Sequence, residues 1–509
     1  MEGKIREDEE FQIPETELDH VAKFLQGKTI LITGATGFLA KVFIEEILRH
    51  QPNVNKLYLI MRASDDKSAI QRLYDEVIST ELFRVLHETW GSKFDRFISS
   101  KVIAIAGDIS FENLGVKDFI LREEIQNEIE IIVNVAATTS FSERYDVALD
   151  INTFGTFNVL NFGKKCDKLK LFIHVSTAYV CGEQAGMISE KPFYMGETLR
   201  QTSNLDIFDE KRIMEEKLDQ LRQQCSPNET ITRAMKELGF TRAKSNGWPN
   251  TYVFTKAMGE MLLGKFKGDV PLVVIRPSMI SSTYKQPFPG WIEGIRTFDS
   301  IVVRYGQGTI SCFLGNPSSP LDLVPVDMVV NAMLVAMEVH FADNQTSSET
   351  IYHVSSSFRN PLRYSDLRKF AYCYFSKNPC TDRNGKKVKV GKPTVFDKAD
   401  KFFLYMRVKY VLPLKVLYLM NKLSCQRSKE THTKLDRKVK SVIRLAQFYK
   451  PYAFFAGIFD CSNLEELQRV AEERGIDVAK FNFDSKYIDW EDYIMNIHIP
   501  GLLKHAVRT

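Results

Sequence analysis

The order of apolar runs along the chain predicts a doubly wound α/β fold with a parallel sheet, and three observations carry that prediction. Short apolar, β-branched runs recur as KTILIT (28–33), KLYLIM (56–61), KVIAIA (101–106), EIIVNV (130–135) and KLFIHV (170–175). Amphipathic stretches lie between them, such as FLAKVFIEEILRH (38–50) and AIQRLYDEVISTELFRVL (69–86). A glycine-bearing turn, TGATGFLA, joins the first run to the first amphipathic stretch. Strands that are apolar on both faces and separated by helices belong to a parallel sheet covered on both sides. The chain therefore reads as successive βαβ units.

The first turn refines this to a Rossmann-type sheet. Gly34, Gly37 and Ala40 follow a strand and open a helix. Gly34 permits the tight turn, Gly37 lets backbone approach a pyrophosphate, and Ala40 allows close helix packing, with phosphates held at the helix N-terminus. Thr36, Phe38 and Leu39 complete the candidate cradle. After the second strand comes Arg62, with Ser64 and Lys67 nearby and the first acids only at Asp65 and Asp66. Arginine at this point suits a 2′-phosphate, which favours NADPH over NADH. Asp108 after the third strand is a candidate for contact with adenine, and Ala136 and Ala137 after the fourth leave room for a dinucleotide; loop geometry explains either equally well.

Two further strands are expected, PLVVIR (271–276) and TIYHVSS (350–356), after insertions at roughly 185–245 and 283–320 that are rich in polar, Gly and Pro residues. Such insertions fit loops that build a substrate site at the carboxyl ends of the strands. From about residue 361 strands become scarce and basic helical patterns dominate, so the expected domains are 1–360, binding the cofactor, and 361–509, mainly helical.

Composition sets the outer limits. The chain has 509 residues, 44% hydrophobic and 26% charged, with a net charge of +4, which excludes disordered, collagenous and disulfide-stapled classes. Eight cysteines form no CxxC pair and nine histidines no HExxH, so no metal site is expected. The N-terminus MEGKIREDEE is acidic and without an apolar core, and no run of 18 apolar residues appears, so neither a signal or transit peptide nor a spanning helix is expected. Residues 381–450 hold 19 Lys/Arg against five acids. Such a block attracts nucleic acid, anionic lipid or a phosphate-bearing ligand, and charge alone does not choose; no nucleic-acid recognition motif accompanies it. Segment 402–420, FFLYMRVKYVLPLKVLYLM, interrupts its apolar runs with Arg407, Lys409 and Lys415, which reads as an interfacial helix pair or a tunnel cover, broken or kinked at Pro413.

Candidate chemistry lies where the fifth strand runs into HVSTAYVCG and in NTYVFTKAMGEMLL. Tyr252 and Lys256, four apart, project from one helix face, where an ammonium lowers a phenol pKa and orients a cofactor ribose. The spacing alone is weak, because Tyr405/Lys409 and Tyr418/Lys422 repeat it. Only Tyr252/Lys256 follows a strand ending in Ser176 and Thr177 and precedes PLVVIRPS.

In this order TGATGFLA, AGDIS, HVSTAYV, YxxxK and RPS resemble the extended short-chain dehydrogenase/reductase superfamily. Within it the chain is most similar to the plant-type alcohol-forming fatty acyl-CoA reductases, through NVAATTSFSERYDVALDINTFGT, RPSMISSTYKQPFPGWIEG, LVPVDMVVNAM, YKPYAFFAGIFDCSNLEEL and FDSKYIDWEDYIMNIHIPGLLKH. The resemblance implies a catalytic set of Thr177, Tyr252 and Lys256, with Ser176 the second choice of hydroxyl, and cofactor-side roles for Gly34, Gly37, Arg62, Asp108, Asn152 and Pro277. It implies NADPH-dependent reduction of long- or very-long-chain acyl-CoA to primary alcohol through an aldehyde, in a cytosolic-facing protein at the endoplasmic reticulum membrane. Cys181 is available as a thioester nucleophile, but direct hydride attack does not need one. The alternatives are an extended reductase acting on another carbonyl or a nucleotide-sugar, or a non-catalytic NADP(H)-binding scaffold. An apolar tunnel for the alkyl chain is expected from PFPGWIEGIRTF and parts of the C-terminal region.

Overall fold

Seven parallel strands form one sheet: β1 (Thr29–Thr33), β2 (Lys56–Met61), β3 (Val102–Ala106), β4 (Ile131–Asn134), β5 (Leu171–Val175), β6 (Leu272–Pro277) and β7 (Glu349–Val354). They belong to a computed structural model that describes residues 19–200, 204–342, 349–382, 384–423 and 429–507. The order is β7-β6-β5-β4-β1-β2-β3, and Ile30 pairs with Leu57 on one side and Ile131 on the other. All seven expected strands are present, and the order reverses between β1 and β4. The connections leave in opposite directions there, which opens a crevice at the carboxyl ends of the strands. Every residue of β1 and β5 is buried, because helices cover both faces of the sheet.

Helices that reach that crevice include α1 (Phe38–His50), α2 (Thr251–Phe266), α3 (Thr297–Gly306) and α4 (Lys429–Ala453). The insertion at 185–245, expected as loop, instead contains helices Ile207–Gln223 and Asn228–Ser245. Ile207, Met214, Leu218 and Leu221 recur at helical spacing and are buried, and Glu210 accepts from Tyr145 Oη at 2.7 Å and pairs with Arg242. The apolar stripe thus prevailed over the polar composition.

The C-terminal part shares a core with the sheet rather than standing apart. Thr394–Phe396 pairs with Cys312–Leu314, and Gly457–Phe459 with Gly186–Ile188. Phe375, Phe402, Ala446, Tyr493, Ile499 and Leu502 are buried in the same core as Ile30 and Val273. The last helical segment is fastened by buried polar contacts. Tyr493 Oη donates to Ser282 O at 2.7 Å, His498 lies 3.0 Å from Ser282 Oγ and 2.9 Å from Asp299 Oδ1, and Trp490 Nε1 donates to Asn360 O at 2.9 Å. In segment 402–420 the expected kink is a widened turn, Arg407–Val411, between helices Ala399–Met406 and Leu412–Leu423, directly before Pro413, which has no N–H to give.

Tyr493→Phe removes one hydroxyl from this fastening and leaves buried acceptors short of a donor. It should lower unfolding free energy by about 1–3 kcal/mol, measured by denaturant titration, while the same change at exposed Tyr487 should leave stability within error.

Candidate active site

The crevice is a cavity of about 890 Å³ lined by residues from the carboxyl ends of β1, β4, β5 and β6 and by the helices above them. Its floor is the glycine turn. Gly34 has φ +74°, and a Cβ there would lie 2.7 Å from Ala136 Cα and N, so only glycine fits between the two strand ends. Gly37 caps α1 with extended backbone and no side-chain hydrogen bond, which leaves the first N–H groups of the helix directed at the cavity. Thr36, Phe38 and Leu39 line the same wall. A glycine cradle at an uncapped helix N-terminus suits an anion such as a dinucleotide pyrophosphate.

The far end of this wall is basic. Arg62 is exposed and lines the cavity beside Arg72, which sequence reasoning missed. Arg72 donates to Arg62 O and to Glu76 at 2.6 and 3.0 Å, so it braces the turn that presents Arg62. Its only sequence signal was its place on the helix following Arg62. Asp108 also lines the cavity, but Oδ1 accepts from Ser110 N and Oγ at 2.9 and 2.8 Å, which holds its own turn. Ala136, Ala137 and Pro277 line the cavity. Asn152 does not. It lies buried behind the wall, accepting from Thr138 N at 2.9 Å and donating to Thr138 O at 3.1 Å, and so fixes a loop that does line it.

Ser176, Thr177, Tyr252 and Lys256 meet in the middle of the cavity. Asn250 caps α2 by accepting from Val253 N at 3.1 Å, and the helix then presents Tyr252 and Lys256 one turn apart. Burial pushes the Tyr252 phenol up to about 12, while a hydrogen bond with Thr177 and the charge of Arg296 pull it back. Lys256 is bonded to the end of β5. Its Nζ donates to Val175 O at 2.7 Å and lies 3.2 Å from His174 Nε2, and burial lowers it to about 8 against the pull of Glu260. The phenol is therefore tuned by Thr177 and Arg296. Ser176 Oγ is buried without a partner, an orphan donor facing the cavity. His174 is wholly buried beneath, and Cys181 is buried, outside the lining, with its thiol pushed up to about 12, the wrong direction for a nucleophilic thiolate.

The decoy pair Tyr405/Lys409 does touch, at 2.5 Å between Nζ and Oη, but lies outside the cavity, with Lys409 exposed and Tyr405 half-buried against the core, and Tyr418 is exposed. No described residue of 185–245 lines the cavity, whereas Ile292, Glu293, Arg296, Phe298, Ile301 and Phe313 of the second insertion do. Past Tyr252 the wall turns apolar. Phe141 packs 6.2 Å from the Tyr252 ring and 5.0 Å from Tyr452, and Leu445, Phe448, Tyr449 and Ala453 of α4 continue the wall. One face thus suits a dinucleotide, the other an extended apolar group.

Residues 32–333 and 409–509 match two family models, each described as male sterility protein. The alcohol-forming fatty acyl-CoA reductase of Simmondsia chinensis is 49% identical over 96% of this chain and 99% of its own length. The chain belongs to the fatty acyl-CoA reductase family. Fatty acyl-CoA reductase 1 of Arabidopsis thaliana is 51% identical to this reductase over 96% of the chain and 99% of the relative. Among solved structures, the reductase domain of a non-ribosomal peptide synthetase from Mycobacterium tuberculosis superposes with a TM-score of 0.55 over 95% of both chains at 17% identity, a likeness of fold alone. The reductase carries an NAD(P)-binding Rossmann-type domain and a helical C-terminal region.

Proposed function

We propose that this reductase converts long- or very-long-chain fatty acyl-CoA into the primary alcohol in two successive reductions, with NADPH as donor and CoA released after the first. The observation that carries the reading is the single cavity in which a glycine cradle, Thr177 with Tyr252 and Lys256, and an apolar wall from α4 meet. The net change is acyl-CoA, two NADPH and two protons to alcohol, CoA and two NADP+.

Bound NADPH supplies hydride in each round. Tyr252 and Thr177 hold the thioester carbonyl by hydrogen bonds that strengthen as its oxygen becomes anionic. The thiohemiacetal collapses and CoA leaves, which frees the aldehyde inside the cavity. In the second round Tyr252 gives its proton to the alkoxide; a phenol held near 12 is protonated at neutral pH and so is a donor. Lys256 spends one N–H on Val175 O and one on His174 Nε2, which leaves one for the cofactor ribose. Arg62, braced by Arg72, meets the 2′-phosphate. In this reading 1–360 hold the cofactor, while 361–509 close the acyl side through Leu445, Phe448 and Tyr449.

A membrane surface is the proposed source of the substrate, on the cytosolic face of the endoplasmic reticulum. Leu404, Val408, Leu412, Val416 and Leu419 are exposed along helices Ala399–Met406 and Leu412–Leu423 and the turn between them, flanked by Lys401, Arg407, Lys409 and Lys415. Apolar side chains edged by cations suit an anionic lipid surface. No helix among the described residues is long and apolar enough to cross a membrane.

Purified protein with NADPH and a panel of saturated acyl-CoAs should yield primary alcohol at two NADPH per chain; no product from any chain despite NADPH binding would sink the reading. Tyr252→Phe should cut kcat by roughly 10²–10⁴-fold while NADPH still binds. Arg62→Ala should raise the KM for NADPH by roughly ten- to a hundredfold and leave NADH nearly unaffected, and equal effects would remove the 2′-phosphate assignment. In flotation assays the protein should rise with anionic vesicles, and a Leu412→Asp/Leu419→Asp variant should stay at the bottom with NADPH binding intact.

A further inference from the structure

A buried polar chain runs under the cavity floor and takes no part in the steps above. Lys256 Nζ lies 3.2 Å from His174 Nε2, and His174 Nδ1 lies 3.1 Å from the side-chain amide of Asn134. The other end of that amide is 2.6 Å from Thr33 Oγ1, and Thr33 Oγ1 accepts from Ala136 N at 3.2 Å. The chain therefore links the lysine of α2 across β5, β4 and β1 to the backbone against which Gly34 turns. His174, Asn134 and Thr33 are wholly buried, so water does not complete their bonding from outside.

The chemistry of each atom fixes how such a chain responds to charge. An ammonium has three N–H donors and accepts nothing. When Lys256 is charged it donates to Val175 O and to His174 Nε2, which puts the ring proton on Nδ1; the Asn134 amide, whose nitrogen lies 3.1 Å from Nδ1 and whose oxygen accepts from Thr33 Oγ1 at 2.6 Å, then turns its oxygen to the ring. When Lys256 is neutral the sense reverses: Nε2–H donates to the amine and Nδ1 accepts from the Asn134 amide nitrogen. The amide turns over between the two, and its two ends differ only in which atom is oxygen. Other charges near this spot are already matched. Arg276 on β6 and Glu260 on α2 form a buried pair at 2.5 Å, and Tyr252 is directed at Thr177. The burial and the charges of Lys256 and Arg276 hold His174 neutral, so it is an acceptor for the ammonium rather than a competing cation.

We infer that His174 is a positioning residue: by accepting from the Lys256 ammonium it stabilises the charged lysine and sets the pH at which Lys256 gives up its proton. Replacing the ring with an apolar side chain leaves a buried N–H without an acceptor, and the charged form loses to the neutral one at lower pH. The inference rests on the dinucleotide reading above, in which charged Lys256 holds the ribose. NADPH affinity is then full below the lysine pKa and falls above it.

The test is NADPH binding, followed by cofactor fluorescence across neutral and alkaline pH, with no acyl substrate present. The wild type should lose affinity as Lys256 deprotonates, and Lys256→Met should abolish that fall. His174→Leu should move the fall down by about one pH unit or more. His174→Gln, whose amide oxygen reaches the place of Nε2, should titrate like the wild type, and His174→Asn, too short to reach it, should shift as the leucine variant does. If the leucine variant does not fold, the Gln and Asn pair decides. Coincident profiles for wild type, Gln and Asn, or a fall that survives in Lys256→Met, overturn the inference. A wild type that binds no NADPH at any pH overturns the cofactor reading instead, and binding without alcohol formation leaves the inference standing while the reaction assignment fails.

Discussion

The close approach of the Gly34 turn to the backbone of Val135 and Ala136 is the constraint on which the rest of the site depends. With 2.7 Å between a hypothetical Cβ and Ala136, the carboxyl ends of β1 and β4 come as near as two strands can without a side chain between them. That closeness points the start of α1 into the crevice with its N–H groups free. It also sets the level of the floor from which β5 delivers Ser176 and Thr177 and β6 delivers Pro277. A bulkier turn would lift α1 and separate the start of that helix from the hydroxyls of Ser176 and Thr177.

The second organising feature is burial around α2. Twelve of its residues are buried, including Lys256 and Glu260, so the helix sits against the sheet with charged groups inside. An ionised side chain in that setting needs partners, and each has them: Glu260 meets Arg276, and Lys256 meets Val175 O and His174. The lysine is thereby held against the end of β5. Burial raises the Tyr252 phenol, and Thr177 and Arg296, one from the end of β5 and one from the loop before α3, partly offset that rise. The site thus draws its acid from one element and its electrostatics from two others.

The sheet was legible in the sequence because buried parallel strands are apolar along their whole length, and no other pattern in the chain imitates that. The cofactor wall was legible for a related reason. Gly34, Gly37 and Arg62 lie within one βαβ unit, where local order and spatial order coincide. Asn152 marks the limit of that reasoning: it bonds both polar groups of Thr138 from behind the wall, a role that sequence position does not separate from direct contact. Phe141, Arg296 and Tyr452 escaped because their proximity is made by tertiary packing, and nothing in their local spacing marks them. The helices at 185–245 were missed because composition was read before periodicity; polar residues there occupy the outer face of an apolar stripe.

The acyl side depends on long-range contact, which explains why the C-terminal region is inseparable from the sheet domain. Leu445, Phe448, Tyr449 and Tyr452 reach the cavity only because α4 is held in place. Asn250 donates to Tyr452 Oη at 2.7 Å, and Phe141 stacks on the same ring, so the cap of α2 and the loop after β4 both grip α4. Asn250 also accepts from Val253 N, so one side chain fixes the start of the helix that carries Tyr252 and Lys256 and the ring that walls the apolar arm. A shift of α4 is therefore felt at the catalytic helix through Asn250. The helical segment 399–423 that precedes α4 carries the exposed leucines, and Phe402 and Met406 on its inner side are buried in the shared core. Any surface that receives those leucines acts on an element continuous with the wall of the arm, so the same stretch of chain offers a route for an alkyl chain and the packing that records its arrival.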